Sequence, residues 1–140
     1  MYIATDASKS YVRIEPIGSI LAIMPWNFPF WQVFRFAVPS LSVGNTALLK
    51  HAPNVMGCAF LIEDVFLKAG YPVGVFQTLA VSHEQTEELL AREEIRGVSL
   101  TGSERAGIAI AQVAGKNLKK CVLELGGNNA FIVLHDADLE

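Results

Sequence analysis

Three short segments of this sequence carry side chains that could do chemistry, and each of them follows an apolar run. In the first, residues 25–29 (PWNFP), two prolines bracket Trp26 and Asn27 directly after the apolar residues 19–24. An amide N–H at the end of a strand is a good donor to a developing oxyanion, and an indole face can wall a flat ring. The alternative is a tight proline turn with Trp26 in the core.

The second segment is residues 101–103, where Thr101, Gly102 and Ser103 lie between an apolar run and a helical pattern. Backbone N–H groups and a hydroxyl at the N-terminus of a helix form an anion site. Ser and Thr are also ordinary N-caps, so a purely structural interpretation stays open. The sequence contains neither the GxGxxG dinucleotide fingerprint nor a GxxxxGKS/T phosphate loop.

The third segment contains Glu124 among the apolar residues 122–125, followed by Gly126 and Gly127. A carboxylate in apolar surroundings is expected to have a raised pKa, which suits a general base working near neutrality. The glycines would let a ligand approach the backbone closely. The alternative is a glutamate at a strand end that pairs with a surface lysine such as Lys119.

Apolar runs alternate with helical patterns, and this alternation predicts the elements that position the three segments. We expect strands at residues 19–24, 46–49, 75–79, 98–100 and 130–134, and helices at residues 53–69, 84–92 and 103–116. Short connections favour right-handed crossovers, so the predicted fold class is α/β, a doubly wound, mostly parallel Rossmann-like sheet. Residues 11–15 are expected to form an exposed alternating strand, and residues 135–140 to begin a helix.

Length and composition exclude several classes of protein. A chain of 140 residues has room for one domain, and its 51% apolar and 18% charged residues exclude intrinsic disorder. No apolar stretch is long enough for a membrane span, and the first residues lack the pattern of a signal peptide. A net charge of −3 argues against nucleic acid or a membrane surface as partner. The two cysteines have no metal-ligand spacing, so we expect no metal and a cytoplasmic location.

Taken together, the order and spacing of these motifs resemble the NAD(P)-dependent aldehyde dehydrogenase superfamily. The motifs that carry the resemblance are EPIG at 15–18, PWNFP at 25–29, GN at 44–45, LK at 49–50, GYP at 70–72, TGS at 101–103, LELGG at 123–127 and DADL at 136–139. The details NFP at 27–29, KHAP at 50–53 and KCVLE at 120–124 are most similar to the branch that oxidises succinate semialdehyde. The resemblance implies an enzyme that oxidises a short semialdehyde to its acid with NAD or NADP.

The resemblance also implies roles for individual residues. In the family a cysteine thiolate attacks the aldehyde, hydride passes to the nicotinamide, and water hydrolyses the resulting thioester. Asn27 matches the residue whose amide stabilises the oxyanion, and Glu124 matches the base that activates the water. The implied cofactor-binding residues are Met24, Pro25, Trp26, Asn27, Lys50, Pro53, Gly102, Ser103 and Leu125, with Lys50 at the adenosine ribose and Ser103 at the pyrophosphate.

Arg35 and residues 51–53 concern the substrate and the choice of cofactor. Arg35 lies eight residues after Asn27, where the succinate semialdehyde branch carries an arginine for the distal carboxylate of the substrate. The alternative is an arginine that extends to solvent along a helix face. Pro53 stands where many NAD-preferring members carry a glutamate, and His51 and Lys50 could help to hold a 2′-phosphate, so NAD and NADP both stay open.

The chain departs from the family pattern in one respect that matters for activity. The catalytic cysteine of the family lies a few dozen residues beyond the LELGG motif, and Cys58 and Cys121 do not match it. We expect both cysteines to be buried and inert. Residues 1–140 are therefore expected to be a single partial cofactor-binding domain, inactive alone, of a longer enzyme that forms a homo-oligomer. The alternative is a short paralogue that binds a nucleotide or a partner chain without catalysis.

Overall fold

The computed structural model describes residues 6–138, which form one parallel sheet with helices on both faces. The strands are β1 (Ser19–Met24), β2 (Thr46–His51), β3 (Phe76–Thr78), β4 (Ile95–Thr101) and β5 (Lys120–Glu124). The helices are α1 (Trp31–Ser42), α2 (Met56–Lys68), α3 (His83–Ala91) and α4 (Glu104–Lys116), with a 3-10 turn at Pro53–Val55. Two short segments lie outside the described residues. They are residues 1–5, which the signal-peptide prediction concerns, and residues 139–140, at the end of the predicted last helix.

The five strands lie in the order β3-β2-β1-β4-β5, and every neighbouring pair is parallel. The chain builds outward from β1 through β2 and β3 on one side, and then through β4 and β5 on the other. The strand order therefore reverses between β1 and β4. Ligands of open α/β sheets bind at such a point, in the crevice outside the carboxyl ends of the strands. The predicted fold class is confirmed.

Two apolar clusters, one on each face of the sheet, hold the helices in place. Successive residues of β1 point to opposite faces, so Leu21 belongs to one cluster and Ala22 to the other, and both are fully buried. Ala22 shares its cluster with Val33 of α1 and Ile62 of α2, whereas the cluster of Leu21 includes Ile110 of α4. Burial on both faces is typical of the central strands of a parallel sheet. Packing on both faces holds β1 and β4 in place, and so fixes the positions of the residues at their carboxyl ends.

The helix ends follow the local sequence signals. The Ser82 hydroxyl accepts from Gln85 N–H at 3.2 Å, and the Gln85 side chain accepts from Ser82 N–H at 2.9 Å, which is the capping box that their spacing predicts. Ser103 caps α4 and accepts from Ala106 N–H at 3.3 Å. Gly70 follows α2 with φ of 89°, a left-handed conformation that favours glycine.

Two predicted strands do not form. Residues 11–15 and residues 130–134 have no regular secondary structure, and their side chains are exposed, Phe131 by 91%. A strand needs a neighbour for its backbone N–H and C=O groups, and no described strand pairs with either segment. Alternation and apolar character predicted these strands wrongly because neither property supplies a pairing partner. Residues 135–136 form a turn, and no helix begins in the described part of the last segment.

Candidate active site

An open crevice of about 500 Å³ lies at the carboxyl ends of β1, β4 and β5, beside the point where the strand order reverses. Its lining comes from α1 and from the three segments whose side chains could do chemistry. The lining residues are Pro25, Trp26, Asn27, Gln32, Arg35, Thr101, Gly102, Ser103, Glu124, Leu125 and Gly126. Strand register produces this meeting, because Thr101 lies opposite Glu124 and Gly102 N–H donates to Glu124 O at 3.0 Å. The predicted oxyanion donor, base and substrate arginine thus share one crevice.

The loop after β1 presents Trp26 and Asn27 to the crevice. Both side chains are exposed, Trp26 by 64%, so the alternative in which Trp26 belongs to the core is wrong. Phe28 adopts a left-handed conformation with φ of 52°, and its carbonyl accepts from Gln32 N–H at 3.1 Å as α1 begins. That conformation is uncommon for a bulky residue. Asn27 is therefore held between a buried strand end and the first turn of a helix.

Glu124 and Arg35 face each other across the crevice. Glu124 ends β5, Arg35 lies on α1, and Arg35 Nη2 is 2.5 Å from Glu124 Oε1. The two side chains are 44% and 50% exposed, so the buried, apolar setting predicted for Glu124 is wrong. The reason is that β5 is an edge strand, so apolar neighbours in sequence do not enclose it. The alternative partner Lys119 instead donates to Arg92 O at 2.8 Å.

This ion pair matters for position more than for stability. Exposed ion pairs contribute roughly 0–1 kcal/mol, because water and salt screen the charges. What the pair establishes is that Arg35 extends across the crevice toward β5. The guanidinium is therefore paired with a carboxylate, on a side chain that is also exposed to solvent. A guanidinium has five N–H donors, so Arg35 can bind a second carboxylate beside Glu124.

A second cavity, of about 360 Å³, contains Lys50 and is called the Lys50 cavity below. Lys50 is only 7% exposed, and its ammonium group makes no ion pair with a carboxylate in residues 6–138. Burial lowers the pKa of Lys50, because leaving water disfavours the charged form. An anionic ligand in the cavity would offset that penalty. Ser103 lines both this cavity and the crevice, so the two spaces adjoin.

Helix α4 approaches the crevice closely because Gly107 lacks a side chain. A Cβ atom on Gly107 would lie 2.6 Å from Leu125 Cδ2, too short for an ordinary contact. Leu125 therefore packs directly against the first turns of α4, just beyond the end of β5. The N-terminus of α4 presents the positive end of the helix dipole and the Ser103 hydroxyl, a combination that favours anions.

Four residues that the sequence associated with the cofactor do not line the crevice itself, and one of them, Lys50, lies in the adjoining cavity described above. Met24 is buried and lines a groove on the α1 face of the sheet that shares Arg35 and Glu124 with the crevice, whereas Pro53 lines a small cavity of about 180 Å³ beside the 3-10 turn. His51 is 1% exposed, and its ring contacts the carbonyls of Met24 and Pro29. It borders the same small cavity as Pro53 and not the Lys50 cavity, and its help in holding a 2′-phosphate stays a prediction. The last residue of β2 points inward, which the sequence alone did not indicate.

The cysteines lie away from the crevice. Cys58 on α2 is partly buried and Cys121 on β5 is exposed, so the prediction that both are buried is wrong. Partial desolvation raises the pKa of the Cys121 thiol, which keeps it protonated at neutral pH.

Residues 6–138 contain no cluster of three or more His, Cys, Asp or Glu side chains that could hold a metal. None of the helices in this range combines the length and the apolar character that crossing a membrane requires.

Gln32 lines the crevice and was not anticipated from the sequence. It lies one helical turn before Arg35, and its Oε1 atom is buried without a hydrogen-bond partner among the described residues. Residues three and four apart share one face of a helix, so the spacing from Arg35 was a usable signal. A buried, unpaired amide oxygen carries a penalty of about 1–3 kcal/mol, so a donor beside it would be stabilised.

Known proteins are similar to this chain in sequence. A model of the aldehyde dehydrogenase family matches residues 2–140. A probable succinate-semialdehyde dehydrogenase of Synechocystis sp., whose name specifies NADP+, is 55% identical over 138 residues, which are 99% of this chain and 30% of that protein. A succinate semialdehyde dehydrogenase of Escherichia coli K12, whose name specifies NAD(P)+, is 56% identical over 135 residues, 96% of this chain and 29% of that protein.

Solved structures share the fold. The crystal structure of succinic semialdehyde dehydrogenase from Streptococcus pyogenes in complex with NADP+ has a TM-score of 0.83 at 48% identity, and covers 89% of this chain and 27% of that chain. A mutant of aldehyde dehydrogenase C from Pseudomonas syringae, in complex with NAD+ and octanal, has a TM-score of 0.80 at 37% identity. The match covers 89% of this chain and 26% of that chain. The chain spans about 30% of the length of the curated relatives that it matches.

Proposed function

Because this chain belongs to the aldehyde dehydrogenase family, we propose that it is the cofactor-binding part of an enzyme that oxidises succinate semialdehyde, or a similar short semialdehyde, to its acid with NAD or NADP. The observation that carries the proposal is the meeting of Asn27, Arg35 and Glu124 in one crevice. An amide donor, a guanidinium and a carboxylate are the groups that this reaction needs around an aldehyde with a distal carboxylate. The names of the Synechocystis and E. coli relatives specify the same substrate for those proteins.

The Lys50 cavity and the N-terminus of α4 fit a dinucleotide. The buried cation of Lys50 suits ribose hydroxyls or a phosphate, and Ser103 with the N-terminus of α4 suits the pyrophosphate. Pro25, Trp26 and Leu125 would border the nicotinamide end. When bound, the cofactor supplies the acceptor for the hydride that leaves the aldehyde carbon. Pro53 offers no carboxylate against a 2′-phosphate, so the proposal includes both NAD and NADP.

The residues of this chain act on the oxygen atoms of the reaction. The Asn27 amide donates to the aldehyde oxygen as negative charge develops there, which lowers the barrier to attack. Glu124 takes a proton from the water that hydrolyses the thioester. Arg35 holds the distal carboxylate of the substrate. In this proposal the attacking cysteine belongs to a part of the enzyme other than residues 1–140, so the 140-residue chain alone is expected to be inactive. The cytoplasmic location and the homo-oligomer stay predictions.

Replacement of the buried lysine tests the cofactor assignment. In Lys50→Met we expect the dissociation constants of NAD and NADP to rise by about 10- to 100-fold, because a hydrogen bond to a charged group contributes roughly 1.5–3 kcal/mol. Titration of tryptophan fluorescence, in the protein expressed from its intact reading frame, measures both constants. The matched control is Lys116→Met, which removes an exposed lysine at the far end of α4. If the two variants bind the cofactor equally well, Lys50 has no part in its site.

A second prediction concerns the substrate carboxylate. In Arg35→Leu we expect the KM for succinate semialdehyde to rise by about 10- to 100-fold and the KM for propanal, which has no carboxylate, to change little. Arg35→Lys should fall between the two, because it keeps the charge but loses the bidentate geometry. Arg35→Leu also removes the ion-pair partner of Glu124. An equal fall in kcat for both aldehydes, with unchanged KM, would mean that Arg35 serves Glu124 and not the substrate.

The proposed activity is tested by the absorbance of reduced nicotinamide during steady-state turnover. The protein from its intact reading frame should reduce NAD or NADP with succinate semialdehyde, at a kcat/KM above that for propanal. Binding of nucleotide without oxidation of any short aldehyde would favour the alternative of a paralogue that binds without catalysis.

A further inference from the structure

We propose that His51 is a positioning residue that fixes the loop carrying Asn27, a role that rests on the proposed function of Asn27 as oxyanion donor. His51 is the last residue of β2, and strand register places it opposite Met24, the last residue of β1. Its side chain is 1% exposed, so it is a polar group fully enclosed beneath the loop. A buried imidazole must find hydrogen-bond partners, and the partners that it finds belong to this loop and to its own strand.

The imidazole contacts both ends of the loop. His51 Nε2 lies 3.0 Å from Pro29 O, and Nδ1 lies 3.2 Å from Met24 O. Residues 25–29, between these carbonyls, carry Trp26 and Asn27 to the crevice. One ring on a neighbouring strand therefore spans the base of the segment that presents the amide donor.

The partners of the ring indicate that Nε2 is its donor, because Pro29 O is a carbonyl oxygen and can only accept a hydrogen bond. Ala52 N–H donates to His51 Nδ1 at 3.0 Å, so Nδ1 is an acceptor and the neutral ring carries its hydrogen on Nε2. Nε2–H then donates to Pro29 O. Nδ1 also lies 3.2 Å from Met24 O, a second polar contact at the other end of the loop. The only hydrogen bond that the neutral ring donates therefore holds the loop just before α1 begins.

The loop needs such a tie because packing does not hold its most strained residue, Phe28. Phe28 has φ of 52° and is 69% exposed, so packing of its side chain does not hold this unfavourable conformation. Strained residues persist only where the surrounding structure determines them. Pro25 and Pro29 have no N–H groups to donate, which leaves the loop short of backbone hydrogen bonds. Anchoring Pro29 O from below supplies the missing constraint two residues from Asn27.

Two substitutions at this position differ in the atom that they retain. The amide nitrogen of glutamine reaches the place of Nε2, so His51→Gln can still donate to Pro29 O. The shorter asparagine reaches only the place of Nδ1, so His51→Asn leaves Pro29 O without its donor. In the protein from its intact reading frame we expect kcat per active site to fall by about 10- to 100-fold in His51→Asn, since small misplacements of catalytic groups have effects of this size. The kcat of His51→Gln should stay near the wild-type value.

A double-mutant cycle supplies a measurement that a merely structural role would not move. If His51 acts through Asn27, His51→Asn lowers kcat in the wild-type background and has no further effect in an Asn27→Ala background. A fall by the same factor in both backgrounds would overturn the positioning role. So would a lowered Tm with kcat per active site unchanged. A wild-type protein that oxidises no aldehyde would overturn the proposed function, and this role with it, so the two failures are distinguishable.

Discussion

In a Glu124→Gln variant we expect a burst of one reduced cofactor per active site, followed by steady turnover about 10²- to 10⁴-fold slower than in the wild type. The amide keeps the size and the place of the side chain at the end of β5, but it cannot accept a proton from the hydrolytic water. Formation of the thioester does not need that proton transfer, so the first turnover survives. Stopped-flow absorbance of reduced nicotinamide measures the burst and the steady rate in one record.

The matched control for this variant is Glu94→Gln, which neutralises an exposed carboxylate just before β4. It should leave both phases unchanged. Loss of the Arg35 ion pair in Glu124→Gln is a small effect, because the pair is half exposed. If the burst disappears together with steady turnover, Glu124 acts before hydride transfer, and the hydrolytic role assigned to it is wrong.

Asn27→Ala is expected to lower the rate of the burst itself, by about 10²- to 10³-fold, which is the usual loss for one oxyanion donor. The amide contributes most when negative charge has developed on the aldehyde oxygen, so kcat should fall far more than the KM for the aldehyde changes. Asn27→Asp is the sharper test of chemistry, because it keeps the shape and replaces a donor with a negative charge. We expect it to be at least as slow as Asn27→Ala.

An exposed asparagine elsewhere provides the comparison for this second prediction. Asn54 lies in the 3-10 turn before α2, away from the crevice, and Asn54→Ala should leave the burst rate unchanged. A burst rate in Asn27→Ala equal to that of Asn54→Ala would remove Asn27 from the reaction. The loop after β1 would then serve only to border the cofactor.

Local signals in the sequence were enough to predict most of the framework. The apolar run of β1 was bounded correctly at Ser19–Met24, because a strand buried on both faces is continuously apolar. The α3 capping box and the Ser103 cap of α4 also follow from a few neighbouring residues. These features depend on short-range chemistry, which a single sequence contains. The resemblance assigned Asn27, Arg35 and Glu124 roles in one reaction, and the crevice brings the three side chains together.

Features that depend on what lies beside a segment were predicted poorly. Glu124 has apolar neighbours along the chain, but β5 is at the edge of the sheet, and position in a sheet is not encoded in five residues. Residues 130–134 are apolar enough for a strand, yet no described strand pairs with them. The resemblance suggested that His51 and Lys50 could help to hold a 2′-phosphate. Only the register of β2 against β1 shows that the His51 ring points beneath the loop.

The central claim is that one crevice, at the carboxyl ends of β1, β4 and β5, binds both the aldehyde and the cofactor. The most direct measurement is a crystal structure of the protein from its intact reading frame, as the Glu124→Gln variant after reaction with NADP+ and succinate semialdehyde, in which the thioester is expected to accumulate beside the reduced cofactor. We expect the distal carboxylate of the substrate on the Arg35 guanidinium, its reacting oxygen within hydrogen-bond distance of Asn27 Nδ2, and the adenosine end of the cofactor in the Lys50 cavity. Substrate bound away from Asn27 and Arg35, or cofactor outside the Lys50 cavity, would contradict the claim.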